Sequence, residues 1–243
     1  MPIERAIFTS AERKDHQGYH LVCRSDGVCE ADARELSQWG PTHDALLDDS
    51  PRGQSINFFR LASGSYCVSR TMAAGDEYSQ RGGQNLLTHF LIVGQQDLAR
   101  FANNPFAVIC AAVASGELEC PPALPQWQDP LPLLGRAAKV DHSLLLRLAH
   151  RLPPDDIVEL IKVIFSARQL WIATTIEPDL LVAGLVNSLP IERRLELTFT
   201  TGLRYSAPRP FRLGVLPAAA TNELRQLKQL GVPVLSLLEG AVC

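Results

Sequence analysis

The sequence predicts an α/β (or α+β) protein of two compact units joined by a proline-rich connector. Three observations predict it. Short runs alternate apolar and polar residues, the period of a half-buried strand, and other runs carry an i, i+3/i+4 apolar stripe, the period of an amphipathic helix. In the second half the two patterns succeed one another regularly, as they do in a mixed α/β unit. Between the halves Pro121, Pro122, Pro125, Pro130 and Pro132 crowd together. Proline fixes φ and lacks an amide hydrogen, so this stretch reads as an extended connector. The boundary is placed near residue 135, giving an N-terminal unit over 1–135 and a second unit over 136–243.

In chain order, Arg5–Ala11 is a short strand. Gly18–Ser25 is a second, with Tyr19, Leu21 and Cys23 on one face and His20, Val22 and Arg24 on the other. Asp26-Gly27 turns the chain, and 31–39 is a short helix stopped by Gly40-Pro41. Ile56–Ala62 and Ser65–Met72 flank Ser63-Gly64 and read as a β-hairpin. A polar connection over 73–83 leads to a strand over 86–93. Residues 96–116 form a helix pair broken near Asn103-Asn104-Pro105. Its second half, Phe106–Ala114, is almost wholly apolar and is expected to be buried nearly all round, with Cys110 as a small buried hydrophobe.

The second unit opens with a helix over 142–151, packing Leu144, Leu145 and Leu148 inward. A helix introduced by Pro153-Pro154-Asp155-Asp156 follows: proline suits a first turn and aspartate suits its positive end. Its stripe is Ile157, Leu160, Ile161, Ile164 and Phe165. Then come a strand (169–175), a helix (178–188), a strand over 195–201 with strict alternation and one polar face, a strand (211–216), a helix (222–230) and a last strand (232–238).

Composition narrows the function classes. The chain has 243 residues, 46 % hydrophobic and 20 % charged, with net charge −3. That is a globular protein with a full core and no general electrostatic drive toward nucleic acid or an anionic membrane. No apolar run is long enough for a membrane span. The six cysteines include no CxxC pair, and the N-terminus has no apolar signal core. Reduced thiols in the cytoplasm are expected. There is no Walker-type phosphate loop, no GxGxxG opening a helix after a strand, and no HExxH or GxSxG. No cofactor and no metal site is expected.

One polar cluster stands out. Arg81, Gly82, Gly83, Gln84, Asn85, Thr88 and His89 precede an apolar run. Glycine permits positive φ and close backbone approach, and arginine supplies a fork of donors, so the cluster suits a partner or a small anion. The plain alternative is a loop in which Asn85 and His89 satisfy nearby backbone groups. An enzymatic reading centres on Cys67 and His89, with Asn85 or Asp76 orienting the imidazole, because a thiol nucleophile needs a base within hydrogen-bond reach. Cys67, however, falls mid-strand, away from the helix N-terminus or cation that activates a thiol. In the second unit the run Thr198–Leu203, then Pro208-Arg209-Pro210-Phe211, reads as an ordinary hairpin-like connection with exposed arginines or, alternatively, as an interaction edge. The prolines stiffen the link, Phe211 is an anchor, and Arg204, Arg209 and Arg212 form a small basic group.

At these two stretches the chain resembles the bacterial GTPase-associated protein 1 family, with its type 2 N-terminal domain followed by its middle domain. The run Arg81-Gly82-Gly83-Gln84-Asn85-Leu86-Leu87-Thr88-His89-Phe90 is similar to that family's Arg-x-Gly-Asn-(aromatic)-x-(Ala/Thr)-His pattern, with one extra residue around the glycines. Ile7-Phe8-Thr9, Gly18-Tyr19 and Gly40-Pro41 fit the same domain. Leu197–Thr201 and Pro208–Leu213 resemble the middle domain. The resemblance implies a non-enzymatic accessory or adaptor protein working with a small Ras-like GTPase in a bacterial defence or signalling system. It implies no catalytic residues. The expected partner contacts are Arg81, Gly82, Gly83, Asn85, His89, Arg209 and Phe211. Two readings compete with it: a Cys/His hydrolase, and a structural subunit of a larger complex.

Overall fold

The computed structural model describes residues 2–13, 16–50, 52–76, 84–121, 123–126, 129–238 and 241–242. In the first half the strands are β1 (Pro2–Arg13), β2 (His16–Arg24), β3 (Gln54–Arg60), β4 (Tyr66–Asp76), β5 (Gln84–Val93) and the short β6 (Leu131–Pro132); the helices are α1 (Glu30–Trp39), α2 (Gln95–Arg100) and α3 (Pro105–Ala114). The second half holds α4 (His142–Ala149), α5 (Pro154–Ser166), β7 (Leu170–Thr174), α6 (Pro178–Ser188), a 3-10 helix (Ile191–Glu196), β8 (Phe199–Thr200), β9 (Leu213–Pro217), α7 (Thr221–Gln229), β10 (Val234–Leu238) and β11 (Ala241–Val242).

Local chemistry explains the element ends. The β3–β4 hairpin turns at Gly64, whose φ of +90° only glycine adopts without strain. Asn103 lies at φ 54°, and the side chain of Asn104 accepts from the amide of Phe106 at 3.0 Å. With Pro105 in the first turn, this stops α2 and starts α3 as the sequence predicts. Glu177 caps α6, accepting from the amides of Asp179 and Leu180 at 3.1 and 2.7 Å.

All the described strands join one mixed sheet, in the order β11-β10-β7-β9-β8-β3-β4-β5-β1-β2, with β6 on β1. The first-half pairings are antiparallel, whereas β8, β9, β7 and β10 run parallel. The halves meet where β8 pairs with β3, Phe199 opposite Phe58 and Thr200 opposite Asn57. One face of the sheet carries Phe58, Val68, Leu91, Phe199, Ile172 and Val215 against the helices α3 to α6. The other carries Phe8, Phe59 and Phe90 under α1, and Trp171 and Leu216 under α7. The larger core therefore draws on both sides of the proline-rich connector.

Three expectations change. The strand expected over 195–201 is a 3-10 helix followed by the two-residue β8, and of its presumed polar face only Glu196 is exposed: Thr198 is half-buried and Thr200 0 % exposed, and the adjacent Thr201 is 2 % exposed. Their hydroxyls are satisfied inside, Thr200 donating to Asn57 Oδ1 at 2.6 Å and Thr201 accepting from the Ile56 amide at 2.9 Å. The apolar α3 is buried on one side only, with Cys110 exposed and Val113 41 % exposed. On β2 the expected alternation slips, because a register shift lies opposite Ile7 and Phe8 and both Val22 and Cys23 are buried.

Arg194, in the 3-10 helix, is 1 % exposed. Its guanidinium donates to four carbonyl oxygens, those of Leu189, Ala102, Lys139 and Asn187, at 2.8 to 3.2 Å. It pins the end of α2 and the connector to the second half, and nothing in the local sequence singles it out from Arg193.

Candidate functional site

Register decides which polar residues meet. Cys67 pairs with Phe59 and Ile92, whereas Arg70 pairs with His89 and His89 with Ile7. Residues 67 and 70 are an odd number of positions apart, so Cys67 and His89 point to opposite faces of the sheet. Cys67 is fully buried among Phe8, Phe59 and Phe90, and burial pushes its thiol well above the ordinary range. The structure does not bring the thiol and the imidazole together, so the nucleophile–base pair of the hydrolase reading is not formed.

His89 serves the connector instead. Its Nε2 donates to the carbonyl of Glu119 at 2.9 Å, and burial lowers its pKa to about 4, so the ring is neutral. Two arginines on the same face do similar work. Arg70 donates to the Leu118 carbonyl at 3.0 Å, and Arg5 to the Asp129 carbonyl at 3.2 Å and to Glu117 at 2.8 Å. Together they tie residues 117–119 and Asp129 to the sheet, beside a cavity of about 270 Å3. Asn85 is half-buried, and its side-chain oxygen accepts from Thr9 Oγ1 at 3.3 Å. Arg81, Gly82 and Gly83 lie outside the described residues.

Arg209 and Phe211 come together in a groove of about 720 Å3, at the amino ends of the parallel strands. Gln169, Arg212 and Pro233, which immediately precede β7, β9 and β10, line it with Tyr205 and Arg168. Phe211 is 8 % exposed and packs edge-on against Phe59, with ring centroids 6.0 Å apart. The three arginines of this connection do not share one surface patch. Arg209 donates to the carbonyls of Trp39 and Arg204, and burial lowers its pKa to about 10. Arg212 donates to the Ala167 carbonyl at 2.8 Å, and Arg204 to the Leu46 carbonyl and to Glu223. Each guanidinium ties the loop to a different element. Arg168 and Ala207 supply the exposed rim. Sequence reasoning missed Arg168 and Tyr205, because only the parallel pairing of β7 and β9 brings residue 168 beside residues 205–212.

Among the described residues no three His, Cys, Asp or Glu side chains are grouped so as to hold a metal. No helix among them is long and apolar enough to cross a membrane. The family model described as GTPase-associated protein 1, N-terminal domain type 2, matches residues 2–130. No curated protein matches the chain.

Proposed function

The chain belongs to the GTPase-associated protein 1 family, and from that membership we propose that it is a non-enzymatic adaptor for a small Ras-like GTPase. It works in the cytoplasm of a bacterium, within a multi-component defence or signalling system. The family is named for association with a GTPase; the adaptor role, the compartment and the kind of system are this proposal's own. The matched residues end close to the boundary near residue 135, and we take 1–135 and 136–243 as two units that share one sheet.

The observation that carries the reading is the groove beside the 204–212 connection. It is preformed, walled by Tyr205 and Phe211, and set at the amino ends of the parallel strands. Small ligands in open α/β sheets sit outside the carboxyl ends, so a groove at the other end favours a macromolecular contact. The stretch with Arg81, Gly82 and Gly83, followed by Asn85 and His89, is the second proposed contact. Since His89 and Phe211 are buried, their part is to hold the surface in shape.

The test is co-purification of the full chain with small Ras-like GTPases of the same bacterium, loaded with GDP or with a non-hydrolysable GTP analogue. Arg168→Glu and Ala207→Trp alter exposed rim positions and should leave the fold intact while abolishing retention. Equal retention of both variants would remove the groove from the interface. No retention of the unaltered chain in either nucleotide state would sink the adaptor reading.

A further inference from the structure

At the opposite end of the parallel strands, between α3, α4 and α6, lies a separate cavity of about 650 Å3. We propose that it binds a small organic cation, an amine with an apolar body whose charged head meets Asp179.

Position is the first argument. α6 begins just beyond the carboxyl end of β7, and β8 runs parallel to β9 but antiparallel to β3. The cavity thus lies outside the carboxyl end of a parallel strand, the end at which open α/β sheets place their ligand crevices. The shape of the cavity agrees with its position. The walls are Ala107, Cys110, Ala137 and Ala183 with Phe106 and Leu180. Protein interiors normally pack to crystal density, and here small side chains facing one another leave room for an occupant. Its volume and apolar lining with a few polar groups are those of a ligand pocket.

Charge selects the occupant. Asp141, Glu177 and Asp179 line the cavity, and Arg147 is the lone Lys or Arg among its described lining residues. Glu177 is committed as the α6 cap, and Asp141 caps α4 through the Leu144 amide at 3.0 Å. Asp179 has lighter support, from Gln54 Nε2 at 3.2 Å and the Thr201 hydroxyl. Gln54 is itself held by Arg70, whose Nε and Nη2 both donate to its Oε1, so the Asp179 carboxylate ends a chain of side-chain hydrogen bonds. Burial pushes this carboxyl up; a bound ammonium would offset that desolvation with a charge-assisted hydrogen bond.

Cys110, exposed and on the cavity wall, is a built-in reporter, and exposed Cys29, outside the lining, is its control. The experiment follows methanethiolation of both thiols in the full chain by peptide mass spectrometry. Benzylamine is the probe, with benzyl alcohol and phenylacetate as neutral and anionic counterparts. Benzylamine at ten times its dissociation constant should slow Cys110 labelling by about tenfold and leave Cys29 unchanged. The alcohol and the acid should protect far less, and Asp179→Asn should remove the preference for the amine. Ala107→Leu, which fills the cavity, should abolish protection and keeps the test sound if Asp179→Asn does not fold. Equal Cys110 rates with and without benzylamine, or equal protection by all three compounds, would overturn the proposal.

Discussion

His89 shows how a side chain expected at a contact surface can work inward. It is 7 % exposed and gives its ring proton to the Glu119 carbonyl. Its pKa falls from 6.5 to about 4 on folding, so the unfolded chain takes up the proton first as pH drops. The associated stability is complete above the unfolded value and is lost as pH falls toward the folded one. Between about pH 7 and pH 5 the loss should be about 2 kcal/mol. Asp179 runs the other way: its raised carboxyl pKa holds a proton more tightly in the folded chain, so its effect worsens as pH rises through the carboxylate range. Urea unfolding at the two pH values should show the loss in the native chain and much less of it in His89→Gln. An unchanged loss in the variant would assign it elsewhere. The sequence places His89 at the mouth of a strand. It does not say which face His89 takes, because a period of two separates neighbours without assigning either to a partner.

At the scale of elements, caps and turns were the most legible features. Asn103-Asn104-Pro105 ends one helix and starts the next through bonds that span only a few residues. The hairpin at Gly64 is equally local. β8 was misread because Thr198 and Thr200 alternate with apolar residues as a solvent face does, and only pairing across 143 residues turns Thr200 inward. Gly202 guards this junction. A Cβ placed there would lie 2.5 Å from the carbonyl oxygen of Gln54, a backbone atom that cannot swing aside. Gly202→Ala should cost about 1–3 kcal/mol, read as a lower urea midpoint with an unchanged slope. A midpoint equal to that of the native chain would show that β8 and β3 can separate without strain.

For the whole molecule, the shared sheet and the Arg194 bonds argue that the two proposed units unfold together. Phe58 and Phe199 lie 6.0 Å apart between ring centroids, and Phe106 stacks on Phe199 at 5.2 Å, so aromatic packing crosses the boundary. Trp39 and Trp171 stand on either side of it. Tryptophan fluorescence and far-UV circular dichroism should therefore report one coincident urea transition. Separate midpoints would mean that each half holds together without the other.

The sequence by itself determined the α/β class, most strand and helix positions, the helix break at Pro105 and the family resemblance, because each rests on spacing or chemistry within about ten residues. Tertiary structure alone decided the rest. It set Cys67 and His89 on opposite faces, turned Arg194, Arg204, Arg209 and Arg212 into clamps on carbonyl groups, and joined the two halves through β3 and β8. Those outcomes depend on strand order and register between distant segments, and an alternating pattern specifies a face without naming the strand that will lie beside it.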